Sequence, residues 1–326
     1  MTTPFDHHIA IWGVGALGSL FAGYLSTVAQ VTMVGHWQEQ IQAIQQDGLT
    51  IHHADGQTSR YFPAITDHPA ALPPIDLALV LVKSHQTASI ASAVARVLSP
   101  SGVVITLQNG VGNLDALASA TGAERATQGV TAQGANIVGL GTVRHAGAGL
   151  THIAVLPERA ERIETGIDLL NRAGFETHAT GGAESQSLVW GKLAANAGIN
   201  PLTALLELPN GQLLAEPQRR HFMIAAAREA EAVAAAQDIR LPYPDVAVQV
   251  QEVARVTGEN ISSMLQDVRR QVPTEIDAIC GAVVRYGERF RVPTPVNATL
   301  LNLIRIKEGG QAIASEDVYR ILSQVV

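Results

Sequence analysis

The apolar positions in the first half of the chain form short, nearly continuous runs that alternate with helical patterns. The runs are HIAIW (8–12), QVTMV (30–34), DLALVLV (76–82), GVVITLQ (102–108) and THIAVL (151–156). The helical patterns between them cover residues 16–28, 37–46, 86–98 and 112–121. Strands that are apolar on both faces and alternate with helices predict a parallel sheet covered by helices.

A hairpin is predicted where this half ends. The stretch TVRHAGAGLTHIAVL (142–156) joins two β-type runs through a glycine-rich turn at residues 147–149. Glycine at such a turn favours a tight reversal of the chain. We therefore expect a hairpin added to the sheet.

The second half has a different pattern, because strand signals fade after about residue 183. Segments rich in Ala, Leu and Glu follow at 184–199, 216–237, 275–290 and 295–307, and prolines separate them. The glycine pair Gly181 and Gly182 marks the change. The pattern predicts an α/β domain over residues 1–183 and a helical domain over residues 184–326.

Composition and charge narrow the range of partners. The chain has 326 residues, of which 47% are hydrophobic and 16% are charged, and these values suit two globular domains. The net charge is -7 and no basic run is present, which argues against a nucleic-acid partner. A small-molecule partner is therefore expected, and the helical half permits a homodimer.

The numbers and positions of cysteines and histidines indicate in which cellular compartment the protein works and whether it has a metal site. The single cysteine, Cys280, rules out an internal disulfide, suits a reducing cytoplasm and falls on the apolar side of a predicted helix. The start, MTTPFDHHIAIWG, lacks the order of a signal peptide, and IDLALVLV is too short to span a membrane. The eleven histidines show no ligand-like spacing, so no metal site is expected.

The stretch HIAIWGVGALGSLFAGYL carries Gly13, Gly15 and Gly18 in the G-x-G-x-x-G order, after a strand-like run and at the start of a helix. This context is typical of a dinucleotide-binding loop, with Gly13 for the turn, Gly15 for the approach of a pyrophosphate and Gly18 for close packing. The helix N-terminus favours the anion. The predicted site also includes the loop residues Val14, Ala16 and Leu17. The alternative is a strand–helix turn with packing glycines only.

The end of the second strand bears on the choice of cofactor. An NAD enzyme often has Asp or Glu there, bonded to the ribose 2′-hydroxyl. This chain has Gly35, His36 and Trp37 instead, which leaves room for a 2′-phosphate to which His36 can donate. NADP is therefore favoured over NAD.

A polar stripe interrupts the otherwise apolar segment GKLAANAGINPL. Lys192, Asn196 and Asn200 are four residues apart, so they share one face of a helix. Pro201 is expected to end that helix. A solvated, snorkelling lysine with two solvated amides is one alternative, and an amide pair that only caps the helix end is another.

Other polar residues occur where a substrate cleft would need them. Asn109 follows one sheet strand, and Lys83 and Gln86 follow the preceding strand, at carboxyl ends where open parallel sheets bind ligands. Further candidates from the second half are Asn210 in a Pro-Asn-Gly turn, Ser262, Ser263, Glu275, Thr294 and Asn297.

Taken together, these motifs resemble the ketopantoate reductase family, the 2-dehydropantoate 2-reductases. The resemblance covers nearly the whole chain and is carried by GVGALGSLFAGYL, VKSHQT, LQNGVGN, HAGAGLTHI, WGKLAANAGINPLTALLELPNG, SSMLQDV, PTEIDAICGAVVRYG and VPTPVN. It implies a Rossmann-type NADP-binding domain and an all-α C-terminal domain like that of 6-phosphogluconate dehydrogenase. The active site is then expected in the cleft between the domains.

The resemblance also implies an activity, the NADPH-dependent reduction of 2-dehydropantoate to (R)-pantoate in pantothenate and coenzyme A biosynthesis. By motif position, Lys192 matches the catalytic lysine, Glu275 its acidic partner, and Asn109 the asparagine beside the nicotinamide. Substrate-binding positions match Asn196, Asn200, Asn210 and Ser263, and the cofactor cleft matches Lys83 and Gln86, together with Asn109 and Glu275. His36 departs from the arginine that is usual in the family.

A mechanism follows from these assignments. An ammonium aimed at the carbonyl oxygen stabilises its developing negative charge and delivers a proton, while the amides hold the substrate in place. Two alternatives stay open at this point. One is a reductase of another small 2-keto acid, of the D-2-hydroxyacid dehydrogenase type, and the other is a non-catalytic NADP-binding sensor.

Overall fold

The computed structural model describes residues 7–326, and the start of the N-terminal stretch considered above lies outside them. The chain forms two compact units. The first comprises the residues up to Gln108 together with Asn113–Ser185, and the second comprises Asn109–Gly112 together with Gln186–Val326. Strands occur only in the first unit of the described chain, and the second unit is helical, so the predicted fold class is confirmed.

The strands and helices are numbered in chain order. The strands are β1 (His8–Trp12), β2 (Gln30–Val34), β3 (Leu49–His52), β4 (Thr58–Tyr61), β5 (Ala64–Thr66), β6 (Ile75–Val80), β7 (Leu98–Thr106), β8 (Ala126–Thr131), β9 (Gly134–Gly139), β10 (Thr142–Gly147), β11 (Thr151–Ala154) and β12 (Thr177–Thr180). The helices are α1 (Ala16–Leu25), α2 (Gln38–Asp47), α3 (Thr87–Val97), α4 (Asn113–Thr121), α5 (Ala160–Arg172), α6 (Gly182–Leu206), α7 (Pro217–Ala235), α8 (Val246–Val256), α9 (Ser263–Arg269), α10 (Cys280–Phe290), α11 (Pro295–Glu308) and α12 (Ser315–Leu322).

The larger sheet has the order β12-β11-β8-β7-β6-β1-β2-β5. Its strands from β5 to β8 run parallel, as predicted. Alternate residues of β1 supply two separate cores, since Ile9 and Ile11 pack in one, with α1 and α5, whereas Ala10 and Trp12 pack in the other, with α3 and α4. Burial on both faces explains why these strands are nearly continuous in apolar residues.

The predicted hairpin over residues 142–156 is wrong. β10 pairs with β9 and β3 in a separate sheet of order β4-β3-β10-β9, whereas β11 pairs antiparallel with β8 and parallel with β12. The glycine-rich stretch after β10 therefore connects two sheets. Val143 is fully buried in its own sheet, and this long-range burial outweighs the local turn signal.

The second unit packs its helices around one apolar core, which includes Leu193, Ala194, Ala197 and Ile199 of α6. The prediction that Pro201 ends this helix is wrong, because α6 continues to Leu206. A proline inside a helix costs about 3 kcal/mol, and the burial of Leu202, Ala204 and Leu205 offsets that cost.

The other helices of this unit were predicted only in part. The helix predicted over 275–290 begins only at Cys280, and α8, α9 and α12 were not predicted. In residues 7–326, no helix combines the length and apolar character needed to span a membrane.

Candidate active site

The glycine-rich turn follows β1, and two of its glycines are required by packing. Gly13 has φ +128°, and a Cβ there would lie 2.7 Å from the Leu81 carbonyl oxygen. A Cβ on Gly18 would lie 2.0 Å from the Gly13 carbonyl oxygen. Gly15 differs, since a Cβ there would meet no heavy atom within 4 Å. Protein packing therefore does not explain why position 15 is a glycine.

The N-terminus of α1 opens at this turn. Gly15 is its N-cap and makes no side-chain cap, and the first turn, which contains Ala16 and Leu17, holds no acidic residue. The free N–H groups and the positive end of the helix dipole favour an anion there. Beside the turn, Val14 is buried, and a Cβ on Gly35 would come within 2.7 Å of its methyl groups. The loop thus offers an anion open space at Gly15 and the positive end of a helix.

The tip of β2 carries exposed side chains. His36 is exposed, and Trp37, which is 37% exposed, is the N-cap of α2. Asp67, which sequence reasoning missed, follows the neighbouring strand β5 and accepts a hydrogen bond from Gln38 Nε2 at 2.7 Å. Hydrogen bonds from Gln38 and His68 hold the pKa of this carboxyl below its usual range. A carboxylate therefore lies close to the start of α2.

The loops after β6 and β7 are tied together by amides and hydroxyls. Lys83 donates its backbone N–H to Gln86 Oε1 at 3.3 Å, which shapes the short 3-10 helix Ser84–Gln86. Gln108 Nε2 donates to Thr87 Oγ1 at 2.8 Å, and that hydroxyl donates to Asn113 Oδ1 at 3.0 Å. Sequence reasoning missed these last three residues. The signal for two of them was present, because Gln108 and Asn113 lie in the motif that supplied Asn109.

The polar stripe of the second unit lies on α6 as predicted. Lys192 and Asn196 are half-buried, and Asn200 is only 7% exposed. Burial lowers the pKa of Lys192 to about 8, and the charge of Glu275 acts in the opposite direction. The ammonium is therefore close enough to a carboxylate to sense its charge, which argues against a snorkelling lysine.

Glu275 also faces Asn109. Glu275 is 8% exposed, and its Oε2 accepts a hydrogen bond from Asn109 Nδ2 at 3.0 Å. Gly110 makes this approach possible, since it has φ +83° and a Cβ there would lie 2.3 Å from the Ala278 carbonyl oxygen. Three residues distant in sequence, Asn109, Lys192 and Glu275, are thus brought together.

Two further sequence-predicted residues lie next to the segment that connects α8 and α9: Asn210 contacts this segment, and Ser263 follows it in the chain. Asn210 begins the 3-10 helix Asn210–Leu214 and is 8% exposed. Its Nδ2 donates to Thr257 Oγ1 at 2.9 Å, and its Oδ1 is buried without a hydrogen-bond partner among the described residues. Thr257 Oγ1 donates its own proton to the Val253 carbonyl at 2.6 Å, so it can only accept from Asn210. Ser263 is exposed at the start of α9.

Other candidates have structural roles or no visible role. Cys280 is fully buried in the helical core, and burial raises the pKa of its thiol, so it is not a nucleophile at neutral pH. Asn297 donates its side-chain N–H groups to Glu229 and to the Ala226 carbonyl, and Glu229 accepts from backbone N–H groups at the start of α11. Over residues 7–326, no group of three His, Cys, Asp or Glu side chains is placed to hold a metal.

A glycine-rich loop on a parallel sheet, followed by a helical unit with a lysine–carboxylate–amide cluster, defines the class of dinucleotide-dependent oxidoreductases. Family comparison is consistent with this class. The family described as "Ketopantoate reductase PanE/ApbA" matches residues 9–158, and "Ketopantoate reductase PanE/ApbA C terminal" matches residues 184–308. The chain belongs to the ketopantoate reductase family.

Individual relatives agree over almost their full length. The 2-dehydropantoate 2-reductase of Halobacterium salinarum is 35% identical over 302 residues, which is 92% of this chain and 98% of that protein. The structure of D-mandelate dehydrogenase with NADH and anilino(oxo)acetate has a TM-score of 0.87 at 25% identity, covering 93% of this chain and 99% of that one. A PanE/ApbA family ketopantoate reductase from Ralstonia eutropha has a TM-score of 0.84 at 30% identity, with coverage of 93% and 99%.

Proposed function

We propose that this protein reduces 2-dehydropantoate to (R)-pantoate with NADPH, as an oxidoreductase of pantothenate and coenzyme A biosynthesis. The observation that carries the proposal is the cluster of Lys192, Glu275 and Asn109, in a chain similar over its length to a protein named for this reaction. A sensor without catalytic activity would not need a half-buried lysine beside a carboxylate.

The residues of the first unit fit a dinucleotide. The open space at Gly15 and the uncapped N-terminus of α1 suit a pyrophosphate, and Lys83 and Gln86 lie on the adjacent carboxyl-end loop. When bound, the nicotinamide supplies a hydride to C2 of the keto acid. NADP is proposed rather than NAD because His36 stands where NAD enzymes often have a carboxylate.

Lys192 is assigned the role of general acid. As C2 is reduced, the carbonyl oxygen gains negative charge, which the ammonium stabilises. The oxygen then takes a proton from Lys192 Nζ and becomes the hydroxyl of the product, and the neutral amine recovers a proton from water. A pKa of about 8 suits this role, because the lysine is protonated at neutral pH and still a competent acid.

The amides and Ser263 are assigned to the substrate. Asn196 and Asn200 follow Lys192 on the same face of α6, and Ser263 begins α9, so they offer donors for a carboxylate. Asn210 also offers an acceptor, because its NH2 group donates to Thr257 while its Oδ1 is buried without a partner among the described residues. A buried acceptor without a donor costs about 1–3 kcal/mol, and a hydroxyl on the substrate can supply that donor. This supports 2-dehydropantoate over keto acids that lack a hydroxyl.

The decisive test of the function is a substrate panel. Initial rates are measured for 2-dehydropantoate, pyruvate, 2-ketoisovalerate, 2-ketoisocaproate and benzoylformate, each with NADPH and NADH. The proposal expects the highest kcat/KM for 2-dehydropantoate with NADPH. A higher value for another keto acid removes the pantothenate role, and NADPH binding without any turnover removes the catalytic one.

Glu275→Gln is expected to shift the pH dependence of reduction. In the unmodified protein, kcat falls as pH rises through about 8, because Lys192 loses the proton that it must donate. The Glu275 carboxylate raises the pKa of Lys192, so removing its charge moves this fall to lower pH. The measurement is kcat against pH from 6 to 10, with Glu207→Gln, whose partner is Lys307, as the control. An unchanged alkaline limb contradicts the assignment.

His36→Arg is expected to increase the preference for NADPH over NADH by about tenfold or more, because a guanidinium can bind the 2′-phosphate through charge-assisted bonds. Asp67→Asn should act in the same direction, since it removes a nearby negative charge. The measurement is the ratio of kcat/KM for the two cofactors. His178→Arg is the matched control, because His178 is also exposed and lies on β12, at the far edge of the same sheet. A ratio that favours NADH more strongly contradicts the proposal.

The location and the assembly stay predictions. We propose the cytoplasm, because the only cysteine is an unpaired, buried thiol. The homodimer can be tested by sedimentation of the purified protein.

A further inference from the structure

Thr203 is a fully buried hydroxyl in the last part of α6, two residues after Pro201. Its Oγ1 lies 2.8 Å from Ser262 Oγ. The same atom lies 2.9 Å from the Asn200 carbonyl oxygen and 3.0 Å from the Ile199 carbonyl oxygen. A hydroxyl in an apolar core is stable only with such partners, and Ser262 in turn needs this hydroxyl. Replacing the threonine by valine therefore removes these hydrogen bonds and leaves their partners unsatisfied.

The position of Thr203 coincides with a weak point of the helix. Pro201 has no N–H to offer to the Ala197 carbonyl, and its ring crowds that turn. The Thr203 hydroxyl lies against the carbonyls of the two residues that precede the proline, Ile199 and Asn200. It therefore braces the turn that carries Asn200 against Ser262.

Ser262 performs a second role at the other end of the contact. It is 6% exposed and is the N-cap of α9, where its Oγ accepts from the Leu265 N–H at 3.1 Å. The pair Thr203–Ser262 thus joins the proline turn of α6 to the first turn of α9. Both oxygens are shielded from water, which makes the contact geometrically specific.

Each end of this pair adjoins a residue assigned to the substrate. Asn200 lies in the braced turn of α6, and Ser263 is the residue directly after Ser262. Neither Thr203 nor Ser262 is itself assigned to the substrate. The two assigned residues come from different elements, so their spacing depends on what fixes α6 against α9.

We propose that Thr203 and Ser262 are positioning residues, which hold Asn200 and Ser263 at the spacing that binds the carboxylate end of a 2-keto acid. The inference rests on the proposed function. It predicts an effect on binding of the acid more than on the chemical step, because Lys192 lies earlier on α6, before the proline turn.

The test uses Thr203→Val, Ser262→Gly and the double variant, with Thr203→Ser as the conservative rescue. Gly is chosen at position 262 because it costs an N-cap only a few tenths of a kcal/mol. Thr177→Val, which removes a buried hydroxyl from β12, is the matched structural control. KM and kcat are measured for 2-dehydropantoate, and calorimetry gives the Kd of pantoate and of NADPH without relying on turnover.

The expected result is a rise of roughly 5- to 30-fold in KM and in the pantoate Kd for each single variant, with kcat and the NADPH Kd little changed. The double variant should bind the acid no more weakly than either single variant, and Thr203→Ser should restore binding.

A lower Tm of Thr203→Val or Ser262→Gly with unchanged KM and Kd, which is the result expected for the control Thr177→Val, overturns the proposal. Additive effects in the double variant also overturn it. If the unmodified protein binds pantoate but turns over no acid, the proposed function fails. The positioning role of Thr203 and Ser262 is then still decided by the pantoate Kd of the variants. If Thr203→Val does not fold, Ser262→Gly decides alone.

Discussion

Lys192→Ala is expected to lower kcat by roughly 10²- to 10⁴-fold, the range typical for loss of a general acid. The physical reason is that the ammonium acts on the carbonyl oxygen mainly in the transition state, so removing it affects turnover more than binding. The fold should survive, because the change removes a charge that is costly to bury. Stopped-flow reduction of 2-dehydropantoate, with NADPH affinity and Tm measured on the same sample, checks both parts.

Two further lysine variants make this test specific. Lys192→Arg keeps a positive charge that cannot be titrated, so it should retain part of the electrostatic stabilisation and lose the fall in rate near pH 8. Lys307→Ala removes a lysine of the same unit that pairs with Glu207, and it should keep normal turnover. Near-normal turnover in Lys192→Ala would remove the lysine from the mechanism.

Gly18→Ala is expected to disrupt the nucleotide loop. The new Cβ would lie 2.0 Å from a backbone oxygen of Gly13, and backbone cannot move aside as a flexible side chain can. Overpacking of this kind typically costs about 1–3 kcal/mol, and the shifted turn should weaken NADPH binding by more than about tenfold. Thermal unfolding and fluorescence titration with NADPH provide the measurements.

Gly15→Ala is the matched comparison for this prediction. Its Cβ would meet no protein atom within 4 Å, so the fold and Tm should be nearly unchanged. NADPH affinity should nevertheless fall, because the methyl group occupies space assigned to the pyrophosphate. If Gly15→Ala binds NADPH as tightly as the unmodified protein, the assignment of this loop to the cofactor is wrong.

Short-range patterns were predictable from the sequence. The bounds of β1 and β2 follow from runs of apolar residues, and the glycine turn follows from residues within six positions of one another. The stripe from Lys192 to Asn200 follows from the helical period alone. In each case, steric and hydrogen-bonding preferences act between near neighbours, so the local sequence contains the information.

The family resemblance extended this reach to Glu275, Asn109 and Ser263, which no local pattern could connect to Lys192. Composition and spacing alone placed each of them on a separate element. The resemblance supplied the set of residues, but it did not supply their contacts.

Only the tertiary structure decided which distant groups meet. In the tertiary structure, β10 and β11 lie in different sheets and α6 continues through Pro201. Hydrogen bonds join Asn109 to Glu275 and Thr203 to Ser262. These outcomes depend on burying whole apolar faces and on satisfying buried polar atoms across the fold. The sequence by itself determined the elements and the chemical groups that they carry. The packing of those elements decided the partners, because burial free energy is shared by residues far apart in the chain.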